Sequence, residues 1–122
     1  MTTLYVGEGK VIDYANSGAA ISAGDVVVAG DVVGIALADI AATTGVGPVG
    51  IEGIFTVPKT TGTAWNQGDA IDWDASASEF HKGVTPAAGD VVSAGIAPVA
   101  AASAAATGQL KLLGGALGAA VT

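Results

Sequence analysis

Cysteine is absent from this chain, and so is arginine. Without cysteine there is no disulfide, no thiolate nucleophile and no Cys-type zinc site, and the redox compartment stays undetermined. Positive charge is scarce: the lysines are Lys10, Lys59, Lys82 and Lys111, against 11 acidic residues, for a net charge of −7. Nucleic-acid binders neutralise phosphates with clustered Lys and Arg and read guanine largely through Arg. This chain lacks that footprint, so direct binding to nucleic acid is not expected. A basic anchor for a membrane surface is lacking too. Long apolar runs are also missing. Val32 to Ala42 is broken by Asp39, and Ile96 to Ala106 is short and mostly alanine, so no membrane span is expected. No basic region followed by an apolar run opens the sequence. The expectation is a soluble protein made in the cytoplasm.

Aromatic residues are few: Tyr5, Tyr14, Phe55, Trp65, Trp73 and Phe80. Apolar residues make up 51% of the chain, but most are alanine and valine. Alanine buries little area, and glycine raises the entropic cost of folding. A chain of 122 residues is long enough for one domain. With small side chains it gains by sharing apolar surface with copies of itself or with a host surface.

What is present begins with Gly7-Glu8-Gly9-Lys10, which has the look of a phosphate cradle. Such a loop needs a glycine, four residues, then Gly-Lys-Ser/Thr opening a helix. The first glycine falls instead on Leu4, and the hydroxyl position is Val11. Val11, Ile12, Asp13 and Tyr14 read as a strand. The segment is a glycine-punctuated arm rather than a nucleotide site.

Glycines then separate short apolar runs. Strands are expected at Lys10–Tyr14, Asp25–Ala29, Val32–Leu37, Val49–Val57, Ala70–Trp73, Val91–Pro98 and Gln109–Leu113. Alternation puts Ile51, Phe55 and Val57 on one face. It puts Ile71 and Trp73 opposite Asp72 and Asp74, and turns Lys111 away from Leu110 and Leu112. The alanine-rich stretch Ala97–Ala106 reads as a short helix at most, or a loop. The fold class is mainly β: a small Gly/Ala-rich β-barrel or β-sandwich of about seven short strands. An extended N-terminal arm occupies 1–10, a single β-rich domain 11–113 and a flexible C-terminal tail 114–122.

A Gly-Asp pair recurs before apolar runs at Gly24-Asp25, Gly30-Asp31, Gly68-Asp69 and Gly89-Asp90. Ser22–Gly45 and Ala87–Gly108 also echo each other, each with Ala-Gly-Asp-Val-Val, then Gly-Ile-Ala, then an alanine-rich passage ending in Thr-Gly. The reading is a turn, a strand, a second strand and a loop, used twice, with glycine opening the turn and aspartate bonding nearby N–H groups.

Candidate chemistry is thin. Asp72-Trp73-Asp74-Ala75-Ser76 opens like a calcium loop, but Ala77 stands where glycine is needed and Gly83 where a glutamate is needed. The pair Asp72 and Asp74 reads as solubilising charge at a strand end. His81, the one histidine, has no nucleophile framed beside it and reads as a surface residue of the turn or strand Glu79–Lys82. No catalytic, cofactor-binding or metal-ligating set is assigned. Trp65 sits in the polar stretch Thr-Gly-Thr-Ala-Trp-Asn-Gln-Gly, where a tryptophan either caps the core under a loop or anchors an interface. Tyr5 faces the same choice in an arm with few internal partners. Such an arm orders by lying on another subunit, as an added strand. The candidate contacts with another subunit or partner are Thr2, Thr3, Leu4, Tyr5, Val6 and Trp65.

The series Tyr-Val-x-Glu-Gly in the arm, Ser-Ala-Gly-Asp-Val-Val-Val, Gly-Ile-Glu-Gly-Ile-Phe-Thr-Val-Pro-Lys (Gly50–Lys59), Gly68-Asp-Ala-Ile-Asp-Trp-Asp and Gly-Gln-Leu-Lys-Leu resembles a family of tailed-phage head proteins. The likeness runs from about Leu4 to Leu113 and is most specific over Glu52–Lys59 and Gly68–Asp74. It implies a capsid decoration, or cement, protein on the outer surface of the virion, made in the host cytoplasm, trimeric and bound to the major capsid protein. In that picture a β body supplies oligomer contacts and the arm Thr2–Lys10 reaches onto neighbouring capsid protein. Some members carry the label of predicted recombinase, which the failed phosphate loop and the acidic charge oppose. The family offers no catalytic residues. The competing expectation is a virion-surface or secreted module that recognises carbohydrate through an exposed Trp65 with Asn66 and Gln67.

Overall fold

The computed structural model describes residues 3–83, 85–113 and 119–121. Its strands are β1 (Val11–Ala15), β2 (Val26–Ala29), β3 (Val32–Ala36), β4 (Val46–Gly50), β5 (Glu52–Pro58), β6 (Ala70–Asp74), β7 (Glu79–His81), β8 (Val91–Ile96), β9 (Thr107–Leu113) and β10 (Ala119–Ala120). The fold is mainly β, as expected. Sheet one runs β1-β4-β3-β2, and sheet two runs β5-β9-β8-β6-β7 with β10 added on β8. A parallel bridge between Lys59 and Phe80 joins the end of β5 to β7, so the two edges of sheet two meet at one end.

The two sheets are copies of one plan. Strands β1, β2, β3 and β4 occupy in sheet one the places of β5, β6, β8 and β9 in sheet two. The registers agree where β2 and β6 begin. Val26 faces Ile35 and Val27 faces Gly34, as Ala70 faces Ile96 and Ile71 faces Gly95. The isolated bridge Ile21–Ile40 has its counterpart in Trp65–Ala101. Asn16 donates its N–H to the Gly45 carbonyl at 2.8 Å, and Lys59 does the same to Ala106 at 2.9 Å.

The Gly-Asp turn is the repeated joint. Ser22 N–H donates to the Asp25 carboxylate at 2.9 Å, Asn66 N–H to Asp69 at 2.7 Å and Ala87 N–H to Asp90 at 3.0 Å. Each glycine holds a positive φ: 91° at Gly24, 88° at Gly68 and 91° at Gly89. That left-handed geometry is open to glycine at little cost. Each turn then grips a distant strand end by two bonds. Gly24 donates to Ala36 and Ala36 to Asp25; Gly68 donates to Ala97 and Ala97 to Asp69; Gly89 donates to Val121 and Val121 to Asp90.

The sequence echo is therefore displaced by one turn. Gly30–Ala36 and Gly89–Ala97 do occupy equivalent strands, β3 and β8. The structural counterpart of Gly24-Asp25, however, is Gly68-Asp69, which the echo did not pair with it. The second copy also carries two additional residues at Ser93-Ala94, absorbed where β6 and β8 slip register between Ile71 and Trp73. Ser93 takes φ 55° there, and its N–H donates to the Asp72 carboxylate at 2.7 Å.

Three further expectations change. The run Val49–Val57 is two strands, because the chain leaves sheet one at Ile51 and enters sheet two at Glu52. Gly53 makes the corner at φ 120°, and Ile51 donates to the Lys10 carbonyl at 3.0 Å. Ile51 consequently packs with sheet one, while Val57 and the half-buried Phe55 pack with sheet two. Ala97–Ala106 is loop rather than helix, since its carbonyls are taken by partners outside it: Ala101 O by Trp65 N–H and Ser103 O and Ala105 O by the Lys59 ammonium. The segment 114–122 was expected to be a mobile tail. Of it, Ala119–Ala120 is a strand on β8, and the Asp31 carboxylate accepts the Ala120 N–H at 3.0 Å on the opposite side. Residues 114–118 and 122 lie outside the described residues.

The main core lies between the sheets, built from Val33 and Ile35 of β3 with Val57, Ile71, Trp73, Phe80, Val91, Leu110 and Leu112. Trp73 and Phe80 pack as a tilted pair with ring centroids 4.9 Å apart. A smaller cluster of Val27, Ala36, Ile40, Val49 and Ile51 belongs to sheet one. Lys59 is fully buried beneath this framework. Its ammonium donates to the carbonyls of Thr60, Ser103 and Ala105 at 3.0, 3.4 and 3.3 Å, and it lies 5.9 Å from the Trp65 ring centre. At the equivalent place, buried Asn16 donates to Ala19 O and Ala41 O.

Phe80→Ala is expected to cost about 3–5 kcal/mol, and Phe55→Ala less, because Phe55 keeps part of its ring in water. Denaturant melts of the two variants rank them; equal losses would place Phe55 in the core. Lys59→Met, which removes the ammonium donor from the carbonyls of Thr60, Ser103 and Ala105, is expected to cost about 1–3 kcal/mol in the same assay.

Candidate interaction surface

The arm is the most exposed apolar element. Leu4, Tyr5 and Val6 are 77%, 82% and 97% exposed. Thr3 is exposed as well, and residues 3–8 belong to no strand. Thr2 lies outside the described residues. The arm bends at Gly9, where φ is 76°, and continues directly into β1. A strand therefore stands where a phosphate loop requires a helix. The single described tie between arm and body is the Lys10 carbonyl, which accepts the Ile51 N–H.

Trp65 takes the first of its two readings. It is 1% exposed and belongs to the inter-sheet core. Its ring packs on Gly108, where an added Cβ would stand 2.6 Å from Cζ3. Its Nε1 has no hydrogen-bond partner among the described residues. The ring is thus not presented to a partner, and Trp65 does not supply the stacking platform that carbohydrate recognition through it requires. Sequence reasoning left the point open because a polar setting hides the fact that Trp65 pairs, across the fold, with Ala101.

The carboxylates also differ from expectation. Asp72 is buried rather than solubilising, because it bonds the Ser93 N–H at the bulge. Asp90 is buried and accepts N–H groups from Ala75 and Ala87. Asp74 closes the β6–β7 turn, accepting from Ser76 Oγ at 2.8 Å and Ala77 N–H at 3.3 Å. Those bonds, that from Ser76 first, hold its carboxyl below the ordinary 3.8 against the opposing effect of burial. Asp69 is lowered likewise, chiefly by the Asn66 N–H and then by Lys82, whose ammonium lies 3.0 Å away. These aspartates are occupied by turns. His81 is the last residue of β7 and faces Asp72 across the pair. Among the described residues no group of three or more His, Asp or Glu could hold a metal ion.

Two surface features escaped the sequence. The outer edge of β2 pairs with no strand among the described residues. Beside its start lies an open cavity of about 300 Å³ lined by Gly24, Asp25, Val26, Pro58, Trp73 and Ser78. The lining comes from both sheets, so no single stretch of sequence signals it.

The family described as phage cement protein matches this chain over residues 6–112. No curated protein and no solved structure matches it.

The lowered aspartates make a pH prediction. A carboxyl whose folded pKa lies below its unfolded value stabilises the fold above about pH 4, and that stabilisation is lost as pH falls through the folded pKa. Asp69→Asn is therefore expected to lower the melting temperature at neutral pH and to flatten its decline in acid. Parallel acid profiles for the variant and the parent would show that Asp69 contributes nothing.

Proposed function

The chain belongs to the phage cement protein family, whose role is structural and tied to the capsid, and on that footing we propose that it decorates the outside of the assembled head and stabilises it by non-covalent clamping. The partner in this reading is the major capsid protein, and the acting species is a homotrimer. The observation that carries it is the arm: a run of exposed Leu4, Tyr5 and Val6 projecting from an acidic β body whose described core contains no arm residue. An apolar segment held in water in this way gains free energy when another chain covers it.

The energetics of cementing follow from multiplicity. A single small interface buries about 800 Å² per partner and binds modestly. Three such contacts made at once by a trimer bind far more tightly, since the second and third are intramolecular. A protein that binds only the closed lattice stabilises that lattice by linkage. No bond-making step is needed, and of the acid groups that resemble a catalytic pair Asp74 is committed to a turn and Asp72 to the bulge at Ser93.

Removing residues 1–10 is expected to abolish sedimentation with expanded heads while leaving the circular dichroism spectrum and melting temperature of the body close to those of the full chain. Undiminished head binding by the truncated protein would exclude the arm from the clamp.

A further inference from the structure

Of the four Gly-Asp pairs in the sequence, two converge on one short strand. Gly30-Asp31 stands just before β3 and Gly89-Asp90 just before β8, the equivalent strands of the two sheets. Between them lies β10. Ala119 and Ala120 face Val92 and Val91 on β8. Gly89 donates its N–H to the Val121 carbonyl at 2.8 Å, and Val121 donates to the Asp90 carbonyl at 2.8 Å. Successive N–H groups of a strand point to opposite edges, so the Ala120 N–H turns away from β8. It donates to the Asp31 carboxylate at 3.0 Å. One strand is thus held from sheet two by main-chain bonds and from sheet one by a side chain.

What β10 covers is a stretch of edge. β9 pairs with β8 at Gly95 and Ile96; nearer the start of β8, Val91 and Val92 pair with β10 instead. Val91 also faces Trp73 of β6 and is fully buried. With β10 lifted, the main chain beside Val91 loses its partner and becomes an open edge, of the kind that pairs with any extended chain. Packing holds β10 only weakly. Ala119 is exposed, Ala120 and Val121 are half-buried, and an alanine side chain brings little area. Hydrogen bonds rather than burial keep it in place. An element with few buried apolar contacts opens locally, before the body unfolds.

We propose that residues 119–121 are a strap with Asp31 as its latch. Seated, the strap covers the edge of β8 and ties the tip of the β2–β3 hairpin to sheet two. Released, it opens that edge while the rest of the body stays folded. The repeat shows that the latch is a special use of its aspartate. Asp90, at the place equivalent to Asp31, is buried and gives its carboxylate to the N–H groups of Ala75 and Ala87. Asp31 is exposed, and its carboxylate reaches across to the strap. The inference goes beyond the cementing role and stands whether or not the arm clamps a head.

Amide hydrogen exchange on the full chain tests this, with the joints at Gly24 and Gly68, which grip Ala36 and Ala97, as internal controls. Asp31→Ala is expected to speed exchange of the Gly89 and Val121 N–H groups about tenfold, as the loss of one hydrogen bond to a charged group allows, and to leave Gly24 and Gly68 as they were. Asp31→Asn, which keeps an acceptor oxygen, is expected to restore most of the protection. Ala120→Pro removes the donor instead, without touching Asp31. It is expected to match Asp31→Ala, and the two together to be no worse than either alone. Unchanged protection of Gly89 in Asp31→Ala overturns the latch. Acceleration at Gly24 and Gly68 as large as at Gly89 overturns the strap, since the whole fold and not one strand has then loosened. Additive losses in the double variant overturn the pairing of Asp31 with Ala120.

Discussion

The structure depends on satisfying main-chain hydrogen bonds in a chain with few large side chains. Every buried N–H and C=O needs a partner, and alanine and glycine offer none of their own beyond the backbone. The Gly-Asp turn answers this demand locally. Its carboxylate takes an N–H two residues before the glycine, and its backbone grips the end of a distant strand through two bonds. Three copies of that joint hold Ala36, Ala97 and Val121. The acidic character of the protein follows in part from this use of aspartate as a turn-closing acceptor.

The same constraint explains the buried polar side chains. Asn16 and Lys59 occupy equivalent places at the ends of β1 and β5, and each ties down carbonyls of the loop that follows β3 or β8. A buried ammonium is costly unless it is well bonded, and three carbonyls with an aromatic face beneath it supply the bonding. The alanine-rich loop 97–106 is thereby tied to the body without becoming a helix.

Duplication of one four-stranded plan gives the two halves different fates. The second half carries β7 and closes on itself at Lys59 and Phe80. The first half ends in open edges and bears the arm. Open edges are ordinarily covered, twisted or charged. Here the edge of β2 and residues 3–8 both stand without a strand partner among the described residues.

The sequence alone determined the mainly β class and most of the strands, because alternation and glycine spacing are local properties. What it could not determine were long-range pairings. Whether Trp65 is core depends on Ala101; whether Asp72 is buried depends on a bulge at Ser93; whether the final residues join the sheet depends on Gly89, Asp90 and Asp31. The register of the internal repeat was hidden for the same reason: Gly24-Asp25 and Gly68-Asp69 are equivalent through bonds to strand ends, not through neighbouring letters. Tertiary structure decided these points because a hydrogen bond joins atoms by their position in space, and the chain had first to fold to bring them together.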